Sequence, residues 1–328
     1  MSKALRGMRW GGLTLLVLLA LSVMAAPLLA PNAPEQRFGD LLYAPPTPVH
    51  IWNDGLTAPF IYPLRLVSRI ERRFEEDRQH PAPLVWFSNR RFVSGGEAPL
   101  LLLGADSYGR DMFARVLYGG RISLTLALVS AGCAVFAGAL LGGIAGYAGG
   151  WLDGVISRST EFLLVLPAMY VVLMLRAVLP LTLSGGTVFA LLTAIFATLG
   201  WPIVARGTRA IVLGERQREY VDAARAVGVS PARLLLRHLL PAASGYLATQ
   251  LTLLLPAFIL AEATLSYIGF GFPPETPTWG TMLKDAANVV LVAEVPWLLA
   301  PAVAIFLSVL AVNLLVQATG RPPVQLEG

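Results

Sequence analysis

Five stretches of this 328-residue chain carry no charge over lengths that exceed the thickness of a bilayer core. They are Trp10–Pro34 (25 residues), Ile122–Leu152 (31), Ala177–Ala205 (29), Leu239–Ala261 (23) and Val295–Gly320 (26). A helix rises about 1.5 Å per residue, so about 20 apolar residues cross the roughly 30 Å hydrocarbon layer. A further apolar stretch, Val155–Pro180, holds only Arg158, Glu161 and Arg176. The pattern predicts six spans, near residues 10–30, 122–148, 155–179, 187–206, 240–265 and 296–317. The third and fourth are divided by the turn-like Pro180–Gly186. Composition agrees: 55% of residues are hydrophobic and 14% charged, against roughly 25% charged in soluble domains. With Cys133 as the only cysteine, no internal disulfide can form. These features exclude a disordered chain, a disulfide scaffold and an ordinary soluble enzyme, and predict an all-α integral membrane protein. The basic start (Lys3, Arg6, Arg9) and the small residues Ala25, Ala26 and Ala30 also fit a cleaved signal. Its 25 uncharged residues, however, exceed a signal core of roughly 7–15, so the run reads as an uncleaved anchor.

Arginine and lysine near span ends set orientation. The start has three basic residues and no acid. Residues 206–238 hold seven arginines (206, 209, 216, 218, 225, 233, 237) against Glu215, Glu219 and Asp222. Phe270–Val295 holds Lys284 against Glu275, Asp285 and Glu294. Six spans with both termini inside satisfy all three, placing 207–238 in the cytoplasm and 35–120 and 270–295 outside. Arg110, Arg115 and Arg121 dissent, at the end of a long loop where the rule is weakest.

Glu35–Arg121 holds 11 arginines and 10 acids, 21 of the chain's 45 charges. It is nearly neutral, which argues against a nucleic-acid surface. Pro45, Pro46, Pro48, Pro59 and Pro63 make its first part extended or loop-like. Leu64–Gln79 is expected to be an amphipathic helix. Val67, Ile70 and Phe74 recur at helical spacing, and Arg72 would face Glu76. Such a helix would rest on the bundle or membrane face, or contact an external partner.

The second polar segment, Gly214–Pro241, reads GERQREYVDAARAVGVSPARLLLRHLLP. Glu219–Ala226 favours helix, and Ala223, Ala224 and Ala226 keep it slim. Gly228 can stop it in a left-handed conformation. Ser230 can cap a second helix with Pro231 at its first position. Leu234, Leu235 and Leu239 give that helix an apolar stripe leading to the span at Pro241. By spacing alone, this is either a helix pair that docks into another protein's groove or one that merely orients the fifth span.

The histidines are His50, His80 and His238, and no His/Cys/carboxylate cluster has metal-ligand spacing. There is no H-E-x-x-H, no G-x-S-x-G and no G-x-x-x-x-G-K-[ST]. Any ATPase that powers this chain is therefore another chain. Arg158 and Glu161 can pair with each other, Arg176 can snorkel, and Glu262, about 30 Å beyond Pro241 along a helix, reads as fixing the outer loop. A secondary transporter would predict internal repeats and mid-span ionisable groups. A membrane-embedded enzyme would predict a catalytic cluster. Neither set of features is visible.

Asp222-Ala-Ala-Arg-Ala-Val-Gly228, nine residues, then His238-Leu-Leu-Pro241 resembles the E-A-A-x-x-x-G-x9-I-x-L-P motif of ABC importer permeases, with Asp222 for the glutamate and His238 for the isoleucine. Leu103-Gly-Ala-Asp-Ser-Tyr-Gly-Arg-Asp111, with Arg115, Tyr118 and Arg121-Ile-Ser-Leu124, resembles the L-G-T-D-x-x-G-R-D segment of the dipeptide/oligopeptide/nickel branch. Tyr147–Asp153, Glu262–Gly271 and Pro273–Gly280 match further segments of that branch in order. The resemblance covers roughly residues 100–320 and is nearest to the C-type permease subunit. It implies a type I importer permease with a MetI-like core and a long extracytoplasmic loop after the first helix. It also implies a second permease in a heterodimer, two ATP-binding cassette ATPases that carry ATP-Mg, and an extracytoplasmic solute-binding protein; no cofactor is expected in this chain. The substrates implied are di- or oligopeptides, nickel chelates or other small solutes. Glu219, Tyr220, Asp222, Ala223, Ala224, Gly228, Ser230 and Pro241 would form the ATPase-docking coupling segment. The expected division is 1–34 (tail and first span), 35–121 (extracytoplasmic segment), 122–320 (five-helix transmembrane domain with the cytoplasmic segment 207–240) and 321–328 (cytoplasmic tail).

Overall fold

The computed structural model describes residues 3–52, 56–88, 90–96, 98–167, 170–174 and 183–319. The chain begins with α1 (Lys3–Met24) and α2 (Ala26–Leu29). Seven short strands follow: β1 (Val49–Trp52), β2 (Leu56–Ile61), β3 (Leu64–Ser68), β4 (Arg73–Glu76), β5 (Ala82–Pro83), β6 (Val85–Ser88) and β7 (Arg91–Ser94). Then come α3 (Met112–Ala148), α4 (Gly150–Val165), α5 (Gly185–Glu215), α6 (Glu219–Ala226), α7 (Pro231–Leu234), α8 (Ser244–Tyr267), α9 (Trp279–Met282), α10 (Val289–Glu294) and α11 (Ala300–Thr319).

Among the described residues four helical stretches are long and apolar enough to cross a membrane: Met112–Ala148, Gly185–Glu215, Ser244–Tyr267 and Pro296–Val316. They contain all of the stretches predicted near 122–148 and 187–206, the one near 240–265 from residue 244 onward, and the one near 296–317 except its last residue. Helix is the expected form, because in lipid each backbone N–H and C=O must be satisfied within the segment. The first predicted span corresponds to α1, whose apolar part is Trp10–Met24, continued through Ala25 into α2. The third predicted span is not one helix. α4 ends at Val165, and Leu166 is extended (φ −71°, ψ 127°), because the following Pro167 disfavours helical backbone in the residue before it. Residues 170–174 are helical again. Arg176, the rest of that span, the first part of the Pro180–Gly186 link and the tail 321–328 lie outside the described residues.

The chain forms two compact units, Met1–Leu124 with Ala263–Ala311, and Thr125–Glu262 with Val312–Gly328. In the first, β1, β2 and β5 make an antiparallel three-stranded sheet, while β3–β4 and β6–β7 are separate hairpins. The expectation of an all-α chain is thereby corrected, as is the helix expected over 64–79, which is the hairpin β3–β4. Along Leu64–Ser68 half-buried and exposed residues alternate, which is the period of a strand. The pairs are Leu64–Glu76, Arg65–Glu75 and Leu66–Phe74. Leu64 and Phe74 bury apolar surface against Leu41, Ala44, Leu101 and Ala105, and that tertiary contact outweighs the fortuitous spacing of Val67, Ile70 and Phe74. The expected Arg72–Glu76 pair does not form. Arg72 bonds Glu294 at 2.8 Å, while Glu76 meets His50 at 3.0 Å.

A buried polar knot anchors the start of α3. Asp106 accepts the backbone N–H groups of Tyr108 (2.8 Å) and Arg110 (2.9 Å) and the Arg110 side chain (2.7 Å). Arg115, 1% exposed, pairs with the same carboxylate at 3.4 Å. Two of the three arginines that dissented from the charge rule thus share one buried carboxylate within the fold. Asp111 caps α3, accepting from Phe113 (2.9 Å) and Ala114 (3.3 Å), and also accepts from Asn32 (2.9 Å). Trp297 donates its indole N–H to Ala105 O (3.0 Å), and Trp279 donates to Val116 O (2.9 Å).

In the second unit α3 and α5 meet along the glycines at 138, 142 and 146. A Cβ added there would come within 2.5 Å of Val204, 2.2 Å of the Ala205 carbonyl and 2.8 Å of the Arg209 carbonyl. Small residues at this four-residue spacing let membrane helices approach closely. Phe196 and Phe258 stack at 5.2 Å between α5 and α8. Glu262 is fully buried.

Candidate functional site

The segment after α5 is a short exposed helix on a small apolar pad. Val212, Val221, Leu234, Leu235 and Leu239 form a buried cluster, with Tyr147, Ala224, Val229 and Leu240 packed on it. α6 contributes Val221 and Ala224 to the pad and leaves Glu219, Tyr220, Asp222, Ala223, Arg225 and Ala226 exposed. Burying one narrow stripe while the rest of the helix stays in water is what its alternating apolar and polar residues dictate.

Glycine ends α6 as its position suggests. Gly228 has φ 79°; Val229 N–H donates to Ala224 O (3.1 Å) and Gly228 N–H to Arg225 O (2.9 Å). These two bonds are the Schellman motif, satisfying carbonyls left open at the helix end. Ser230 stands at the N-cap of α7 with extended backbone, and Pro231 takes the first helical position. The Ser230 side chain makes no capping hydrogen bond, which corrects the expected side-chain cap. Fixed φ at Pro231 and burial of Leu234 hold the helix start without it. A π-helical turn, Leu235–Leu239, and an α turn, Leu240–Ala242, carry the chain towards α8, with Pro241 exposed.

Ionic and polar ties hold the segment's approach. Glu215 accepts from Tyr220 Oη (2.9 Å) and pairs with Arg218 (3.1 Å), bridging the end of α5 to the start of α6. Asp222 pairs with Arg225 (3.0 Å), whose guanidinium lies 5.8 Å from the Tyr147 ring centre. Arg216 donates to the carbonyls of Gly146 (3.1 Å) and Tyr147 (3.2 Å), closing the end of α3. Asp153 receives both Nε and Nη2 of Arg209, the latter at 2.6 Å, and Ser157 Oγ at 3.1 Å. The Arg209 hydrogen bonds hold the Asp153 carboxyl below the usual carboxylate range. Sequence reasoning singled out Tyr147 and Asp153 only as parts of a motif, and Arg209 and Arg216 only as charges that orient the chain. Helical spacing says nothing about partners 56 residues apart.

The structure therefore brings Glu219, Tyr220, Asp222, Ala223 and Gly228 onto one exposed element, and places Ala224 against the chain's own core. The pad and the basic stretch 206–238 lie within the residues that match a known family. Residues 138–321 match the family of binding-protein-dependent transport system inner membrane components. A candidate peptide permease of Brucella ovis is 38% identical over 211 residues, 64% of this chain and 68% of the relative. The di/tripeptide transport system permease of Pseudomonas aeruginosa is 32% identical over 93% of this chain and 84% of its own length. The dipeptide transport system permease of Bacillus subtilis is 37% identical over 65% of this chain and 64% of its own.

The chain belongs to the family of binding-protein-dependent transport system inner membrane components. It is a multi-pass permease subunit of an ATP-binding cassette importer and not an enzyme, and it works with ATPase and substrate-binding-protein components.

Proposed function

We propose that this permease imports di- or oligopeptides as one half of a heterodimeric translocation pathway, with an ATPase seated on each permease and ATP-Mg held by those ATPases. The peptide assignment rests on the names of the relatives from Pseudomonas aeruginosa and Bacillus subtilis. Six spans, with both termini in the cytoplasm, place α6 and α7 on the cytoplasmic face and residues 35–121 outside. The helix Asp222–Gly228 couples ATPase closure to rocking of the spans.

The observation that carries this reading is α6 itself. It is a slim helix, fixed on one side to the apolar pad and exposed on the other. A protruding helix anchored by its own core can pass on a push, whereas a loose one would absorb it. Gly228 sets its angle, because a β-branched side chain at positive φ is strained. Gly228→Val is expected to insert in the membrane normally, lose ATPase in co-purification and lose peptide uptake. Normal ATPase binding and uptake by an inserted Gly228→Val permease would show that the segment is only a linker.

A further inference from the structure

The first unit carries a hairpin whose aromatic rings stay exposed among the described residues. β6 and β7 pair antiparallel, Trp86 opposite Val93 and Ser88 opposite Arg91. Trp86, Phe87 and Phe92 are 45%, 74% and 41% exposed. Their rings nonetheless cluster, with Phe92 edge-on to Trp86 at 5.5 Å and to Phe87 at 5.1 Å. Three exposed aromatic rings side by side are costly in water, and such patches mark interaction sites. Phe87 also adopts φ 53°, a region in which a bulky residue is an outlier.

Three observations say what covers the patch. First, the hairpin is fastened where the first apolar helix ends. The Arg91 guanidinium donates to Pro31 O at 2.6 Å, and β7 packs against α2. Second, α1 presents Leu18, Leu21 and Met24, and α2 Leu28, to the outside, so an apolar surface runs up to the hairpin. Third, Val85–Ser94 contains Arg90 and Arg91 and no acid. Aromatic rings with a cationic neighbour, at the level where a span leaves the hydrocarbon, are the composition of a membrane interface.

We propose that the β6–β7 hairpin is a membrane-interface anchor: Trp86, Phe87 and Phe92 sit at the headgroup–acyl boundary of the phospholipid bilayer, with Arg90 against lipid phosphate. The inference rests on the reading of residues 10–30 as a span. It holds whichever side of the membrane the hairpin occupies, since the Arg91–Pro31 tie fixes depth and not sidedness. The anchor fixes the height of the β-rich segment above the bilayer.

The test is nitroxide labelling of the full chain in nanodiscs of phosphatidylethanolamine and phosphatidylglycerol, in a Cys133→Ala background. Leu18→Cys, Phe87→Cys and Gln79→Cys are compared by collision with oxygen, which enriches in lipid, and with a nickel chelate, which stays in water. The expected result is a label at 18 deep in lipid, one at 87 at the interface and one at 79 in water. A deep label at 18 with a water-exposed label at 87 overturns the anchor and leaves the span intact. A water-exposed label at 18 overturns the span reading and the inference together. A label at 87 that is shielded only once the solute-binding protein is added makes the hairpin a protein contact and also overturns the inference. In a second measurement, Trp86→Phe keeps an aromatic ring but removes one indole. It should lower the fraction of tryptophan emission quenched by dibrominated lipid; an unchanged fraction counts against the anchor.

Discussion

Arg209 grips Asp153 with two parallel hydrogen bonds, from Nε to Oδ1 and from Nη2 to Oδ2. The pair joins the first turn of α4 to the last third of α5, six residues before that helix ends and the chain turns towards α6. A planar guanidinium on a carboxylate fixes orientation as well as distance. The pair therefore fixes how the start of α4 sits against α5.

Replacing the carboxylate measures that joint. Asp153→Asn should cost about 1.5–3 kcal/mol, the range for hydrogen bonds to charged groups, seen as a lower unfolding temperature in detergent. Arg209→Lys keeps the charge but loses the paired geometry, so it should fall between Asp153→Asn and the parent. The pH dependence has a definite sign. Asp153 titrates below the usual carboxylate range, so its stabilisation is complete above about pH 4 and fades only as pH falls through the depressed value. The gap between parent and Asp153→Asn should stay constant from pH 5 to 8. A gap that closes between pH 5 and 7 would refute the assignment.

Gly142 and Gly132 lie on the same helix and make opposite predictions. A Cβ at 142 would meet the Ala205 carbonyl at 2.2 Å, whereas one at 132 meets nothing within 4 Å. Gly142→Val should separate α3 from α5 at a cost of about 1–3 kcal/mol or more, visible as reduced membrane yield and faster trypsin cleavage. Gly132→Val should match the parent in both assays.

Asp111 titrates in the opposite sense to Asp153. Burial pushes its carboxyl up to about 6, although Asn32 and the N–H groups of Ala114 and Phe113 oppose the shift. A raised value means that the neutral acid fits the fold better. The stabilisation is present below about pH 4 and is lost as pH rises through about 6, at up to about 1.4 kcal/mol per pH unit. Melting of the parent should drop between pH 5 and 7 by more than that of Asp111→Asn, which keeps a capping side chain and cannot ionise. Equal drops would place the titration elsewhere.

These sites differ in how far the sequence foretold them. The long helices were legible because a charge-free run of bilayer length has few alternatives. The bend at Gly228 was legible because glycine there separates two helical patterns. The hairpin β3–β4 was not, since Val67, Ile70 and Phe74 mimic a helical face and the burial of Leu64 and Phe74 on Leu41 and Leu101 is decided by contacts remote in sequence. The same holds for Asp153 with Arg209. The break at Leu166 could have been read from Pro167, but the hydropathy around it masks the interruption.

The two adjacent alanines of α6, alike in sequence, should part in experiment. Ala223 is exposed on α6, while Ala224 is half-buried against the cluster of Val221 and Leu234. A leucine at 223 adds bulk to the free face only. Ala223→Leu should leave membrane yield and melting unchanged, yet reduce ATPase co-purification and peptide uptake severalfold. A leucine at 224 must displace the pad itself, at about 1–3 kcal/mol for over-packing. Ala224→Leu should therefore lower melting and loosen α6 in the permease without any ATPase present. Protease sensitivity at Arg225 separates the two without a transport assay: it should rise in Ala224→Leu alone. If both variants lose ATPase with unchanged melting, Ala224 also faces the partner and the pad is not what holds the helix. If neither loses ATPase, α6 is not the docking element.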